Sequence, residues 1–460
     1  MVAPARRAAF EALRMIDTER ADLPAALAAR RDRLADERDR ALTAEIVTGT
    51  LRWRAALDHL IGHFAHRPVE RIDPEVVEIL RLSLYQLLHL DRVPAAAVVD
   101  DAVDLTRGAG KRSAAGFVNA VLRSASRARR QLPLPPRPDG PDRPEPGSGP
   151  WETALDYLSI TQSHPRWLVA RWLQRWGVEA TEAWVRFNNE PAPLTLRVNT
   201  LKATTDEVLR QLAEQGVEAE RGRYASDALI VRSGNPLRTA LAASGLFVPQ
   251  NEASQLVALF AAPLPASRVL DACAAPGGKT VVMADLMEGR GLLVAADRRP
   301  RRIDLLRRQL QAAGLEHVPV VQLDLLQALP FAAAFDHILV DAPCSGLGTI
   351  RRDPDIRWRR TEDDLPGLAD RQVQMLLNAA DGLAPGGLLT YATCSSEPEE
   401  DEAVADAFLA ARRDFAPAPP ASPPPGLAEV VDARGHLRTW PHRHGLEAFF
   451  AATFRRSAGG

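Results

Sequence analysis

Cysteine and lysine are both scarce in this chain. Its 460 residues include three cysteines, Cys273, Cys344 and Cys394, separated by 71 and 50 residues. That spacing matches neither a CxxC metal site nor the dense framework of a disulfide-stapled domain, so free thiols in a reducing compartment are expected. Of 57 basic residues only Lys111, Lys202 and Lys279 are lysine. The net charge is −2, so no global basic field is available and a nucleic-acid partner would have to be held by local patches. No apolar run approaches a membrane span, and Arg6 and Arg7 lead into an amphipathic helix rather than a leader's apolar core, which predicts a cytoplasmic protein with no membrane partner. Neither G-x-G-x-x-G nor G-x-x-x-x-G-K-[ST] occurs, which argues against a dinucleotide dehydrogenase and a P-loop NTPase.

What is present is an ordinary globular composition, 46% apolar and 25% charged, long enough for two or three domains. Residues 1–128 carry apolar residues at three- and four-residue spacing, as in Ala8-Phe10-Leu13-Ile16 and Val77-Ile79-Leu80-Leu82-Leu84, and predict an all-helical domain. Residues 129–150 hold eight prolines and three glycines in 22 positions and read as an extended linker. Residues 151–250 predict a small α+β module, with strands near Leu194–Val198, Ala228–Val231 and Leu246–Val248 and a helix from Thr205 to Gln215. From 251 to 460 strand, turn and helix alternate, which predicts a doubly wound, mostly parallel α/β sheet. The absence of a heptad seam or obvious interface pattern suggests a monomer.

In such a sheet the residues just past the carboxyl ends of the strands line the ligand crevice. Cys344, in DAPCSGLGT, and Cys394, in YATCSSEPEE, both follow strand-like runs and are expected to face one site. DACAAPGGKT follows the first of these strands; Gly277 and Gly278 would let the backbone approach a ligand where the next helix starts. Asp271, Asp297, Asp324 and Asp341 stand in order at successive strand ends, with Asp297 suited to ribose hydroxyls and Asp324 to an adenine edge. With no phosphate cradle in the sequence, S-adenosyl-L-methionine fits these positions. A thiolate adding to C6 of a pyrimidine would make C5 nucleophilic, and a base must afterwards remove the C5 proton. One cysteine could attack, the second could assist release, and Asp341 could bind the base near N3.

DACAAPGGKT, DAPCSGLGTIRRDPDIRW and YATCSSEPEE resemble the three signature motifs of the Nol1/Nop2/Sun family of RNA 5-methylcytosine methyltransferases. The resemblance implies a Rossmann-like fold, Cys394 as nucleophile, Cys344 in product release, and Lys279 and Asp341 near the target base. It also implies a cofactor site made of Ala272, Cys273, Ala274, Ala275, Pro276, Gly277, Gly278 and Lys279 with Asp297, Arg302, Asp324 and Asp341. Cys273, inside that turn, reads as a packing residue. The helical region resembles the RNA-binding NusB fold, and FVPQNEASQL resembles the segment preceding the methyltransferase domain of bacterial Sun proteins. Together these imply methylation of 16S ribosomal RNA, free or in a partly assembled small subunit, at the cytosine conventionally numbered 967. The same chemistry on transfer RNA is the nearest alternative, and a noncatalytic NusB-like assembly factor is one from a different class. The sequence has Asp401 where the family more often has asparagine.

Arg351, Arg352, Arg357, Arg359 and Arg360, with Trp358 among them, follow the PCSG turn and are expected at the mouth of the crevice, where arginine grips phosphate and an aromatic ring stacks on a base. His436, His442 and His444 read as a surface turn, and no metal is expected.

Overall fold

The periodic apolar residues of the N-terminal region fold into helices Pro4–Asp17, Leu23–Arg31, Glu37–Arg52, Arg54–Ala65, Pro74–His89, Ala95–Gly108 and Ala115–Arg127. Pro74–His89 is central and buried on nearly all sides. Pro74 opens it where no amide partner is needed, and the Asp73 carboxylate accepts from the Glu75 amide at 3.0 Å. The buried Arg81 on this helix is neutralised by Asp58, at 2.6 and 2.8 Å, and by Glu78, as a charge in that position must be. The structure, a computed structural model, describes residues 2–458; positions 1, 459 and 460 of the expected first and last segments lie outside the described residues.

The chain forms two compact units, one running through to Pro191 and including Ile350–Glu362, the other comprising Ala192–Thr349 and the chain from Asp363 onward. The proline-rich stretch expected to separate domains therefore lies inside the first unit. It forms no helix or strand before Gly149, as its composition dictates, but it is tied down along its length rather than free. Leu132 and Leu134 pack on the helical core. The Pro133 carbonyl lies 2.9 Å from His59 Nε2, and Thr161 Oγ1 donates to the Pro135 carbonyl at 2.6 Å. Arg137 pairs with the buried Glu182 at 2.7 Å. Beyond it, helices Arg166–Trp176 and Val178–Asn189 join through stacked Trp172, Trp176 and Trp184, with centroids 4.8 and 4.5 Å apart for the pairs that share Trp184.

In the second unit, strands β1 (Thr195–Val198), β2 (Glu218–Arg221), β3 (Ala228–Ser233) and β4 (Phe247–Pro249) form an antiparallel sheet in the order β2-β3-β1-β4. Its helix, Thr205–Glu214, starts in a capping box between Thr204 and Glu207. The larger sheet comprises β5 (Arg268–Asp271), β6 (Leu292–Asp297), β7 (Val320–Gln322), β8 (Phe335–Asp341), β9 (Leu383–Thr393), β10 (Phe415–Pro417), β11 (Leu437–Thr439) and β12 (Phe449–Arg456). The order is β10-β12-β9-β8-β5-β6-β7, with β11 also on β12; β5 to β9 pair in parallel, while β12 runs antiparallel to β9, β10 and β11. Alternation decides the two faces: Val269, Ala295, Leu339, Ala392 and Ala451 pack on one side, and Leu270, Val294, Ile338, Tyr391 and Phe450 on the other. Strand order reverses between β5 and β8. In such sheets the crevice opens at the carboxyl ends of the strands flanking that reversal.

Candidate active site

The ends of β5, β8 and β9 are brought level by their registers, Asp271 lying opposite Leu339 and Asp341 opposite Ala392. Cys344 and Cys394, 50 residues apart in sequence, consequently meet with their sulfurs 3.4 Å apart. Close contact with Cys394, then burial, pushes the Cys344 thiol well above its ordinary value. Lys279, just inside the helix that follows β5, reaches across to Asp341 at 2.8 Å and lies 5.5 Å from the centre of the Phe449 ring. The four residues expected to act on a base thus all follow the carboxyl ends of β5, β8 and β9 in one sheet.

Glu400, missed in the sequence, is the hub of the two cysteine turns. Its buried carboxylate accepts from the Ser345 amide at 2.8 Å, from Ser395 Oγ at 2.7 Å and from Gln372 Nε2 at 3.0 Å. One carboxylate therefore ties the residue after each cysteine to the same point. Gln372 also donates to the Pro343 carbonyl, and its own carbonyl accepts from the Tyr391 hydroxyl at 2.9 Å. On the other side the Gly348 amide donates to the Cys394 carbonyl at 2.9 Å. A Cβ at Gly348 would stand 2.0 Å from the Ala448 carbonyl oxygen, so only glycine permits this approach. Asp401, the departure noted in the third motif, is buried; it accepts from Thr393 Oγ1 at 2.8 Å and pairs with Arg438 at 3.3 Å. Its carboxyl is pushed up by burial, against the pull of Arg438 and Thr393.

The turn Ala272–Gly278 is fastened by the Ala272 amide to the Leu339 carbonyl at 2.9 Å and by the Ala274 amide to the Ala296 carbonyl at 2.7 Å. Gly277 has φ of +113°, and a Cβ there would meet Leu306 at 2.9 Å, so the turn presents backbone to whatever lies on it. Arg302 donates to the Ala275 carbonyl at 2.6 Å and stands 3.6 Å from the buried Asp297 carboxylate at the end of β6. Asp324, beyond β7, accepts from the Leu326 amide at 3.1 Å. This donor set, an open backbone turn with acidic groups past the next two strands, fits a nucleoside bearing an amino acid. Asp271 is fully buried, accepts from Thr280 at 2.7 Å, and is pushed up to about 7 by burial. Cys273, in the same turn, packs against the apolar layer beneath the sheet, and burial raises its thiol, in keeping with a packing role.

Arg357 and Trp358 are taken up by the packing of the first unit rather than offered to a phosphate or a base. Arg357 is fully buried within the first unit, donating to the carbonyls of Ser163 at 2.8 Å and Asn188 at 3.3 Å and to Asn189 Oδ1 at 3.0 Å. Trp358 donates from its indole to the Leu51 carbonyl at 2.6 Å and packs on the helical core. Arg351 lies 4.2 Å from the centre of the Phe187 ring and donates to the Pro191 carbonyl at 2.9 Å. Arg352 keeps 49% of its side chain exposed and pairs with Asp353. A guanidinium has five donors; here Arg357 spends several on protein carbonyls, so it serves packing rather than phosphate. Among the described residues no group of three or more His, Cys, Asp or Glu side chains could hold a metal, and no helix is long and apolar enough to cross a membrane.

Comparison with known proteins agrees with this geometry. Residues 3–127 match the NusB family, residues 164–238 the ferredoxin-like domain of RsmF/B-like methyltransferases, and residues 258–455 the family described as 16S rRNA methyltransferase RsmB/F. The chain is 36% identical to the probable ribosomal RNA small subunit methyltransferase B of Bacillus subtilis, covering 91% of each, and 35% identical to ribosomal RNA small subunit methyltransferase B of Pseudomonas putida, covering 88% of each. The crystal structure of PH0851 superposes with a TM-score of 0.78 at 27% identity, over 99% of both chains. A NusB-like helical region, a ferredoxin-like module and a Rossmann-like sheet carrying paired cysteines at its strand ends place the chain in the ribosomal RNA small subunit methyltransferase B family.

Proposed function

We propose that this protein methylates C5 of a cytosine in 16S ribosomal RNA, the one conventionally numbered 967, using S-adenosyl-L-methionine and acting as a monomer on RNA or a partly assembled small subunit. The observation that carries the reading is the meeting of Cys344 and Cys394 at 3.4 Å past the strand ends that also carry the Lys279–Asp341 pair. Bound S-adenosylmethionine would supply an electrophilic methyl group. The chain's own residues make C5 able to take it. Cys394, as thiolate, forms a bond to C6 as the C5=C6 π electrons move to C5, which takes the methyl group, and Asp341, held by Lys279, accepts from the exocyclic amine beside N3. Once C5 is methylated its proton must leave; the C5–H electrons then restore the C5=C6 double bond as the C6–S bond breaks and Cys394 departs. Cys344 is suited to this second half. A thiol pushed upward stays protonated at rest, which disfavours it as the attacking group; lying 3.4 Å from the Cys394 sulfur, it would take the C5 proton only after giving up its own.

The test is a denaturing gel of the Cys344→Ala protein incubated with S-adenosylmethionine and a 16S ribosomal RNA transcript, beside the Cys344→Ala/Cys394→Ala protein and a transfer RNA control. A retarded protein–RNA adduct that needs Cys394 and forms with the ribosomal transcript is the expected result. An adduct with transfer RNA alone would move the substrate, and no adduct from a folded protein that binds cofactor would remove the covalent route.

A further inference from the structure

Gln250 connects the small sheet to the cofactor turn. Its backbone is fixed on both sides, the amide donating to the Thr195 carbonyl of β1 at 2.9 Å and the carbonyl accepting from Gln255 Nε2 at 3.0 Å. Its side chain lies against the first residue of helix Gly278–Leu286: a Cβ at Gly278 would stand 3.1 Å from the Gln250 amide carbon. Gln250 is only 9% exposed. Its Nε2 reaches Ser254 Oγ at 3.5 Å, while Oε1 is buried with no hydrogen-bond partner among the described residues. A buried amide oxygen in that condition has lost its water without gaining a donor, and native proteins rarely leave one so unless a ligand or water completes it.

We infer that Gln250 Oε1 accepts a hydrogen bond from the α-ammonium group of the amino-acid portion of the bound cofactor. The inference rests on the S-adenosylmethionine reading of the site. An amide oxygen can only accept, so its partner must be a donor. S-adenosylmethionine has two sets of strong donors, the ribose hydroxyls and the ammonium. The ribose is drawn to Asp297 at the end of β6, whereas Gln250 stands where the helix after β5 begins. At that point helix amides favour the cofactor's carboxylate, and the ammonium is bonded to the same carbon as the carboxylate. Gln250 thereby makes affinity for the amino-acid half depend on a residue held by the small module's β1.

The experiment measures binding of two probes to the purified full-length protein by calorimetry. S-adenosylhomocysteine carries the ammonium and 5′-methylthioadenosine lacks the whole amino-acid portion. In Gln250→Ala, and in Gln250→Leu, which keeps the volume, the Kd for S-adenosylhomocysteine should rise about tenfold or more, equivalent to about 1.4 kcal/mol per tenfold, while that for 5′-methylthioadenosine stays within about twofold, as expected if the lost contact is confined to the ammonium. Thermal unfolding of both variants checks that they fold. Equal weakening of both probes would mean that Gln250 only shapes the turn, and unchanged binding of both would mean that it touches neither; each result overturns the inference alone. A wild-type protein that binds neither probe would remove the cofactor reading and this inference with it.

Discussion

Glu400 holds no reacting atom, yet the separation of the two thiols depends on it. Replacing it by glutamine exchanges one acceptor oxygen for a donor, so that either the Ser345 amide and Gln372 Nε2 lose their acceptor or the Ser395 hydroxyl must turn from donating to accepting. A buried polar group so stranded costs about 1–3 kcal/mol, and a shift of the order of 1 Å in a reacting group costs about 100-fold in rate. Glu400→Gln should therefore lower kcat by about that factor while the Kd for S-adenosylhomocysteine changes less than about twofold, because the turn Ala272–Gly278 is fastened elsewhere; single-turnover methylation and calorimetry separate the two. Asp271 gives a pH signature. Burial lifts it to about 7, whereas in an unfolded chain an aspartate titrates near ~3.9. Between those values the folded protein keeps a proton that the unfolded chain has lost. Its contribution to stability is full below the lower value and disappears as pH rises through the upper one. Urea unfolding at pH 8 and pH 5 should show the wild type gaining stability relative to Asp271→Asn at the lower pH; parallel behaviour of the two proteins would mean that another group titrates.

Among the elements, the short segment Ile350–Glu362 has the clearest test. Its carbonyl-bound Arg357 makes it a structural insert of the first unit. Arg357→Ala should destabilise that unit by about 1–3 kcal/mol through stranded carbonyl groups. It should leave the slope of log affinity against log salt for RNA unchanged, since each lost phosphate contact would lower that slope by roughly 0.9 or less. Melting curves and filter binding over a salt series decide between the two roles. The same segment marks where reading the sequence stopped working. The strand ends, the turn Ala272–Gly278 and the meeting of the cysteines are legible because apolar runs closing on Asp271, Asp297 and Asp341 mark the strand ends in a few adjacent letters. Strand β2, with the sequence EAER and mostly exposed, has no apolar alternation and forms because β3 supplies its hydrogen bonds. Glu400 sits in an acidic run and Arg357 in a basic one, patterns that carry no sign of burial. A charge becomes buried only when distant chain provides its partners, and those partners, such as Ser163 and Asn188 for Arg357, are far away in sequence.

Taken whole, the chain passes from one unit to the other at Pro191, at Thr349 and at Glu362. The first unit is discontinuous, and a fragment spanning residues 2–191 lacks the side chains that fill the space beside Leu51, Ser163 and Asn188. Such a fragment should melt at a lower temperature than it does with a synthetic peptide of residues 350–362 added, the rise growing with peptide concentration as mass action requires. A peptide carrying Arg357→Ala should give a smaller rise. No effect of either peptide would show that the fragment closes over the vacancy by itself.

A ribosome makes this chain from its N-terminus, and domains ordinarily fold as they emerge. Here the opening helices are synthesised first but cannot be finished until Trp358 and Arg357 follow, well over a hundred residues after Pro191. By then the strand bearing Asp341 and the turn bearing Cys344 have already been translated. Maturation of the oldest part of the polypeptide is thus timed by arrival of a much younger one, and a nascent chain stalled before Ile350 would leave the carbonyls of Leu51, Ser163 and Asn188 without the donors that complete them.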